Sequence, residues 1–189
     1  MKNLIAYLET FHPLSDGLKS YLTDNLVPAS FPTRHMLLEV PKVASHLYYL
    51  SDGFAMSYTL NREGKVTENF WKKGQIIVAF ESFVYQRPSL EVIQLLVPSD
   101  LICISFETMQ KMLSDFPDAN ILYRFILNQH YTQTRKRLRM LKRADHYGQY
   151  QHLLKNYPEI ERITTQRSIA SYLGVTPQTL SRMKRNHEK

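Results

Sequence analysis

Near the end of the chain, Gln178, Thr179, Ser181, Arg182 and Arg185 follow the pair Thr176-Pro177. Amide, hydroxyl and guanidinium groups at this spacing can donate to base edges and to phosphate oxygens. Thr176 suits an N-cap and Pro177 the first helical position, so a helix begins there. Leu180 and Met183, at i and i+3, give that helix an apolar side. Upstream, Thr165 is a second N-cap, with a helix expected over residues 166–173 and Ile169, Ala170 and Leu173 on one face. Ala170 is small enough to let a second helix cross close. Gly174 supplies the positive φ that stops the first helix, and Val175 plugs the corner. This is the pattern of a helix-turn-helix whose second helix reads the major groove. A surface helical hairpin that binds nothing is the competing reading. Under the first, Thr176 caps the reading helix, and Arg182 is the candidate for a bidentate guanine contact.

Charge is distributed to match. Residues 1–121 carry 10 Lys and Arg against 13 Asp and Glu, a net of −3. Residues 122–189 carry 14 against 4, a net of +10. A basic C-terminal part that also holds the helix-turn-helix is the footprint of a polyanion binder. The one cysteine, Cys103, lies in the apolar run Leu101-Ile102-Cys103-Ile104, so no disulfide is possible within the chain and the thiol reads as a buried filler. No apolar run approaches a membrane span, and the N-terminus lacks a signal-peptide core; a cytoplasmic location and no membrane partner are expected.

The elements that must position the reader are legible in order. Residues 1–26 read as helical, with Leu4, Ile5 and Leu8 on one stripe and Leu14, Leu18, Tyr21, Leu22 and Leu26 on another. Pro28 and Pro32 end that region. Residues 31–106 change to short apolar or alternating runs divided by turn residues, about seven strands, the fifth spanning 75–80. Residues 107–113 read as a short helix, broken by Phe116-Pro117-Asp118. A long helix follows over 119–143, without Pro or Gly. Leu127, Tyr131, Thr134, Leu138 and Leu141 recur on it at alternating four and three spacing, a heptad-like seam for a second copy. The end of this helix is basic: Arg135, Lys136, Arg137, Arg139, Lys142 and Arg143. That run reads either as a solvated face or as a surface near phosphates. Ala144-Asp145-His146 is a joint, and residues 147–156 form a further helix.

β-strands, a long dimerising helix and a C-terminal helix-turn-helix, in that order, resemble the Crp–Fnr (catabolite activator, cyclic-AMP receptor) family of bacterial transcription regulators. The matching residues are Leu47-Tyr48-Tyr49-Leu50-Ser51-Asp52-Gly53, the hairpin at Glu63-Gly64-Lys65, Gly74 before Gln75-Ile76-Ile77, Phe116-Pro117-Asp118, Asp145 and the helix-turn-helix. The resemblance implies an α+β protein. Its parts are an antiparallel jelly-roll barrel over 1–117, a dimerisation helix over 118–144 and an all-α DNA-binding domain over 145–189; the wing that usually follows in the family is not expected here. The resemblance implies a homodimer on a pseudo-palindromic operator of double-stranded DNA, with Thr165 and Arg167 touching phosphate, Gln178, Thr179 and Arg182 facing base edges, and RNA polymerase as a further partner. It also implies a small-molecule effector in the barrel. Family members hold cyclic nucleotides through a Gly-Glu and a later Arg-Ser. At the corresponding positions this chain has Val78-Ala79 and Pro88-Ser89, with Arg87 nearby. The charge-assisted contacts of that site are gone, so no cyclic-nucleotide cofactor and no cyclic-AMP response are expected. Val78, Ala79, Phe80, Glu81, Ser82, Phe83, Arg87, Ser89, Thr134 and Arg135 are where another effector would sit; Phe80 and Phe83 could equally fill the barrel.

An enzyme is not expected. Jelly-roll barrels also carry metal-dependent enzymes, but His12, His35, His46, His130, His146, His152 and His187 are scattered and no His-x-His pair occurs. A ligand-sensing module with a vestigial helix-turn-helix stays open as an alternative, as does a haem-type sensor to which no residue points.

Overall fold

The computed structural model describes residues 2–62, 64–142 and 145–187. Three residues named from the sequence, Glu63, Arg143 and Ala144, lie outside them. Two helices open the chain, α1 (Lys2–Glu9) and α2 (Asp16–Asn25). The Ser15 hydroxyl caps α2 by accepting the Leu18 amide at 3.3 Å. Their stripes are buried as spaced, with Leu4, Leu18 and Leu22 fully enclosed.

Eight strands follow: β1 (Val27–Phe31), β2 (Met36–Leu38), β3 (His46–Asp52), β4 (Phe54–Asn61), β5 (Gly64–Lys72), β6 (Ile76–Ile77), β7 (Glu91–Leu95) and β8 (Ser99–Ser105). They form two antiparallel sheets of four, ordered β1-β8-β3-β6 and β2-β7-β4-β5. Neither sheet closes on itself, so the barrel that the resemblance implies is corrected to two separate sheets. Alternation marks which side of a strand is covered, not whether a sheet closes. The first strand also departs from expectation, because Pro28 sits inside β1. β1 is an edge strand, where a residue without an amide hydrogen costs no ladder bond. The strand expected over 75–80 shortens to Ile76–Ile77, and Phe80 opens a short helix, α3 (Phe80–Tyr85).

The rest of the chain is helical: α4 (Phe106–Asp115), α5 (Pro117–Leu141), α6 (His146–Asn156), α7 (Ile160–Ile163), α8 (Gln166–Tyr172) and α9 (Pro177–His187). The break expected at Phe116-Pro117-Asp118 falls there: α4 ends at Asp115 and Pro117 begins α5. The proline occupies the first turn of α5, where its missing N–H is no loss. The short α7 was not foreseen.

Two hydrophobic cores explain the layout. Ala55 of β4 joins Leu50, Ile77, Leu95 and Leu101 in the first, which also takes in α1, α2 and the start of α5 through Ala119 and Leu122. Phe54, Met56 and Tyr58, the alternate residues of β4, turn to the other side with Phe70 and Val92. There they pack with Tyr150, Leu153, Ile160, Ile169, Leu173 and Leu180 of the C-terminal helices. One sheet thus serves two cores, one on each face, and the C-terminal helices are built onto it.

Candidate nucleic-acid interface

The turn between α8 and α9 forms as its residues dictate. The Thr165 hydroxyl caps α8, accepting the Ser168 amide at 3.1 Å. At the other end Gly174 adopts φ +70°. Its amide donates to Ser171 O at 3.1 Å and the Val175 amide to Ala170 O at 3.0 Å, the paired bonds of a Schellman ending. Thr176 then caps α9 through the Thr179 amide at 3.1 Å. Ile169, Ala170, Leu173 and Leu180 are buried between the two helices.

Gln178, Ser181, Arg182 and Arg185 fall at i, i+3, i+4 and i+7, and with Pro177 they line one open groove. Gln178, Arg182 and Arg185 are exposed and Ser181 is half-buried. Thr179 differs: its hydroxyl lies 2.9 Å from that of Thr176, turned back onto the cap. Thr165 and Arg167 stand apart on α8. Arg167 lies against the β4–β5 hairpin, where a β-carbon on Gly64 would come within 3.0 Å of its guanidinium.

The structural roles of Lys184, Glu161, Tyr150 and Arg137 at this interface escaped the sequence reading. The Lys184 ammonium of α9 pairs with Glu161, which accepts the Tyr150 hydroxyl at 2.8 Å. Burial alone would raise the Glu161 carboxyl, but the bonds from Lys184 and Tyr150 outweigh it and hold the carboxyl below its ordinary range. The same carboxylate raises Lys184. Burial, then Glu161, pushes Tyr150 up to about 12. Lys184 therefore braces α9 against α6 and α7. The remaining residue is Arg137, whose role is to dock. Its guanidinium donates to Tyr172 O at 3.1 Å and to Thr67 O at 3.2 Å. Around it, Ser171 Oγ accepts the Thr67 amide at 2.9 Å and the Tyr157 hydroxyl donates to Phe70 O at 3.0 Å. Burial pushes Tyr157 up to about 12. The signal for Arg137 was present only as membership of a basic run.

The ten effector candidates do not converge on one cavity. Ala79 and Phe83 are core residues, and Phe83 meets Phe106 edge-on at 5.5 Å. Phe80 stacks on His130 of α5 at 5.0 Å and 15°, closing the gap between α3 and the long helix. Burial lowers the pKa of His130. Ser82 Oγ accepts the Ala44 amide and donates to Arg87 O, and Ser89 Oγ bonds Glu91, so both hydroxyls are spent locally. Val78 is half-buried against the first core. Glu81, Arg87, Thr134 and Arg135 are exposed. A cavity of about 110 Å³ does lie between the sheets, against Leu38, Ala44, Tyr48 and Ile93, and of the ten only Ala79 reaches it.

On the seam of α5, Tyr131 is 63% exposed, Leu138 45% and Leu141 39%, an apolar line left open to solvent. Among the described residues no three His, Cys, Asp or Glu side chains gather as a metal site would need, and no helix is long and apolar enough to cross a membrane.

No protein-family model matches the sequence, and no curated protein matches it. The similarity is one of structure. A protein of Eubacterium rectale assigned to the Crp/Fnr family of transcriptional regulators superposes with a TM-score of 0.74 at 17% identity, covering 97% of this chain and 88% of that one. CLP, the c-di-GMP-responsive global regulator of Xanthomonas campestris, gives 0.71 at 17% identity over 92% of each chain. The catabolite activator protein of Thermus thermophilus gives 0.58 at 15%, covering 95% and 85%. The chain has the α+β fold of the Crp/Fnr regulators; at these identities the likeness is one of fold.

Proposed function

We propose that this chain is a Crp–Fnr-type transcription regulator that binds DNA as a homodimer and reads a pseudo-palindromic operator. Residues 1–117 are the sensor, 118–144 the dimerisation helix and 145–189 the DNA-binding domain. The observation that carries this reading is the groove of α9, where Gln178, Ser181, Arg182 and Arg185 face outward from a helix held by Thr176, Gly174 and a buried apolar face. Two copies related through the open α5 seam would place two reading helices on half-sites about 34 Å apart. Thr165 and Arg167 serve phosphate, with Arg167 leaving the hairpin to do so. RNA polymerase is the downstream partner.

The sensor takes no cyclic nucleotide. Val78-Ala79 and Pro88-Ser89 supply none of the charge-assisted contacts, and the Phe80–His130 stack fills the space beside α5. Any effector is of another kind.

Selection of binding sites from random duplex DNA, with and without cyclic AMP, tests both parts. A palindromic motif enriched equally in the two arms is the expected result. Enrichment only with cyclic AMP would overturn the reading of the sensor. No motif in either arm would favour the sensing module with a vestigial reader.

A further inference from the structure

The basic run at the end of α5 splits into two groups with different surroundings. Arg137 turns inward, onto Thr67 and Tyr172. At about 100° per residue, Arg135, Arg139 and Lys142 fall together on the opposite side of the helix. Lys136 lies between. The seam of Leu138 and Leu141 runs along the flank of this stripe.

All four outward cations are exposed, and none forms an ion pair among the described residues. The described carboxylates of this part of the chain are engaged elsewhere. Asp145 is spent capping α6, accepting the Gly148 amide at 2.8 Å. Glu159 pairs with Arg162 at 2.8 Å, and Glu161 with Lys184. In α5 itself the one acidic residue is Asp118, at the far end, where it accepts the Ser15 amide. Among the described residues the stripe is therefore a positive surface without an ion-pair partner.

Its height on the molecule matters as much as its sign. Leu141 abuts the turn of the helix-turn-helix: a β-carbon on Gly174 would stand 3.2 Å from Leu141 Cδ2. The last turns of α5 thus sit level with the turn that leads into Pro177 and the groove-reading end of α9. If two copies pair along the seam and α9 reads DNA, a basic surface at that level would face the stretch of duplex between the two half-sites.

We propose that Arg135, Arg139 and Lys142 form a second DNA contact, a sequence-independent clamp on the phosphates of the operator's central segment. This rests on the reading of α9 as a DNA reader. Contacts to phosphate position the protein and carry no base information, so the clamp adds affinity and salt dependence without specificity. In the dimer the stripes of the two copies flank the axis, and the duplex relieves their mutual repulsion.

The test measures affinity of the full-length chain for its selected duplex and for one unrelated duplex across a salt series. Three variants are compared with the wild type: Arg135→Gln/Arg139→Gln/Lys142→Gln, the conservative Arg135→Lys/Arg139→Lys/Lys142→Arg, and Arg182→Ala. In the neutral triple variant the slope of log affinity on log salt should fall by about 0.9 for each phosphate no longer neutralised, on both duplexes alike. The conservative triple variant should keep the wild-type slope, which guards against mere misfolding. Arg182→Ala should narrow the gap between the two duplexes. A neutral triple variant with unchanged slope and affinity would overturn the clamp alone. A wild type that binds neither duplex would overturn the clamp and the DNA reading together.

Discussion

The Arg137 guanidinium carbon lies 3.8 Å from the centre of the Tyr172 ring while the same side chain donates to the Tyr172 carbonyl. With its bond to Thr67 O, one side chain ties the long helix, the first helix of the helix-turn-helix and strand β5. A planar fork that stacks and donates twice is a task lysine cannot copy. Arg137→Ala is expected to destabilise the chain by about 2 kcal/mol, within the range for charge-assisted bonds and a partly desolvated cation–π contact. Arg137→Lys should recover little of it. Chemical denaturation gives the loss, and hydrogen exchange at the Thr67 amide should quicken in both variants. A Lys variant as stable as the wild type would show that charge alone suffices.

Gly174→Ala should loosen the helix-turn-helix. Its φ of +70° costs a residue with a β-carbon about 1–2 kcal/mol, and that carbon would press on Leu141. Lower stability with weaker binding to every duplex is the expected pair of results. A fully stable variant would mean that the turn can shift to another conformation.

The seam on α5 predicts assembly. Leu138→Glu should leave a monomer in sedimentation equilibrium with its secondary structure intact. In DNA-free wild type, dimerisation should strengthen as salt rises, because screening relieves like charges beside the seam. A dimer weakened by salt would point to an interface held by ion pairs.

Glu91 gives a pH dependence. Burial raises its carboxyl above the ordinary value, and Glu68 adds to the effect. The fold thus favours the protonated form. The associated stability is present below the unfolded value and is lost as pH rises through the folded one. Glu91→Gln, fixed in the neutral form, should raise the melting temperature at about pH 7 and change it little at about pH 3.5, below the unfolded value of about 4.3. An equal gain at both pH values would assign the effect to packing instead.

The helix-turn-helix was legible because its signals are local. Thr165, Gly174 and Thr176-Pro177 each act within one or two turns, and each does in the structure what its residue type dictates. The α5 periodicity was legible for the same reason. What sequence did not disclose depends on distant neighbours. Pro28 looks like a terminator until β1 is seen at the rim of its sheet. Arg137 looks like one more surface cation until Thr67, 70 residues earlier, is found beneath it. The effector residues placed by the resemblance do not gather in one cavity, and hydroxyls among them, such as those of Ser82 and Ser89, are consumed by their own loop.

Strand β5 ends its sheet, and its outward main-chain groups at Thr67 and Phe70 are satisfied by Ser171, Arg137 and Tyr157. The C-terminal helical part is thus also the cover that keeps this β-structure from recruiting a strand of another molecule. Cut away behind α5, the remaining sheets would present bare main-chain donors and acceptors beside Phe54, Met56, Phe70 and Val92, a template for aggregation. The two halves of the chain share one solubility, and evolution cannot trade one C-terminal part for another without fitting it to β5.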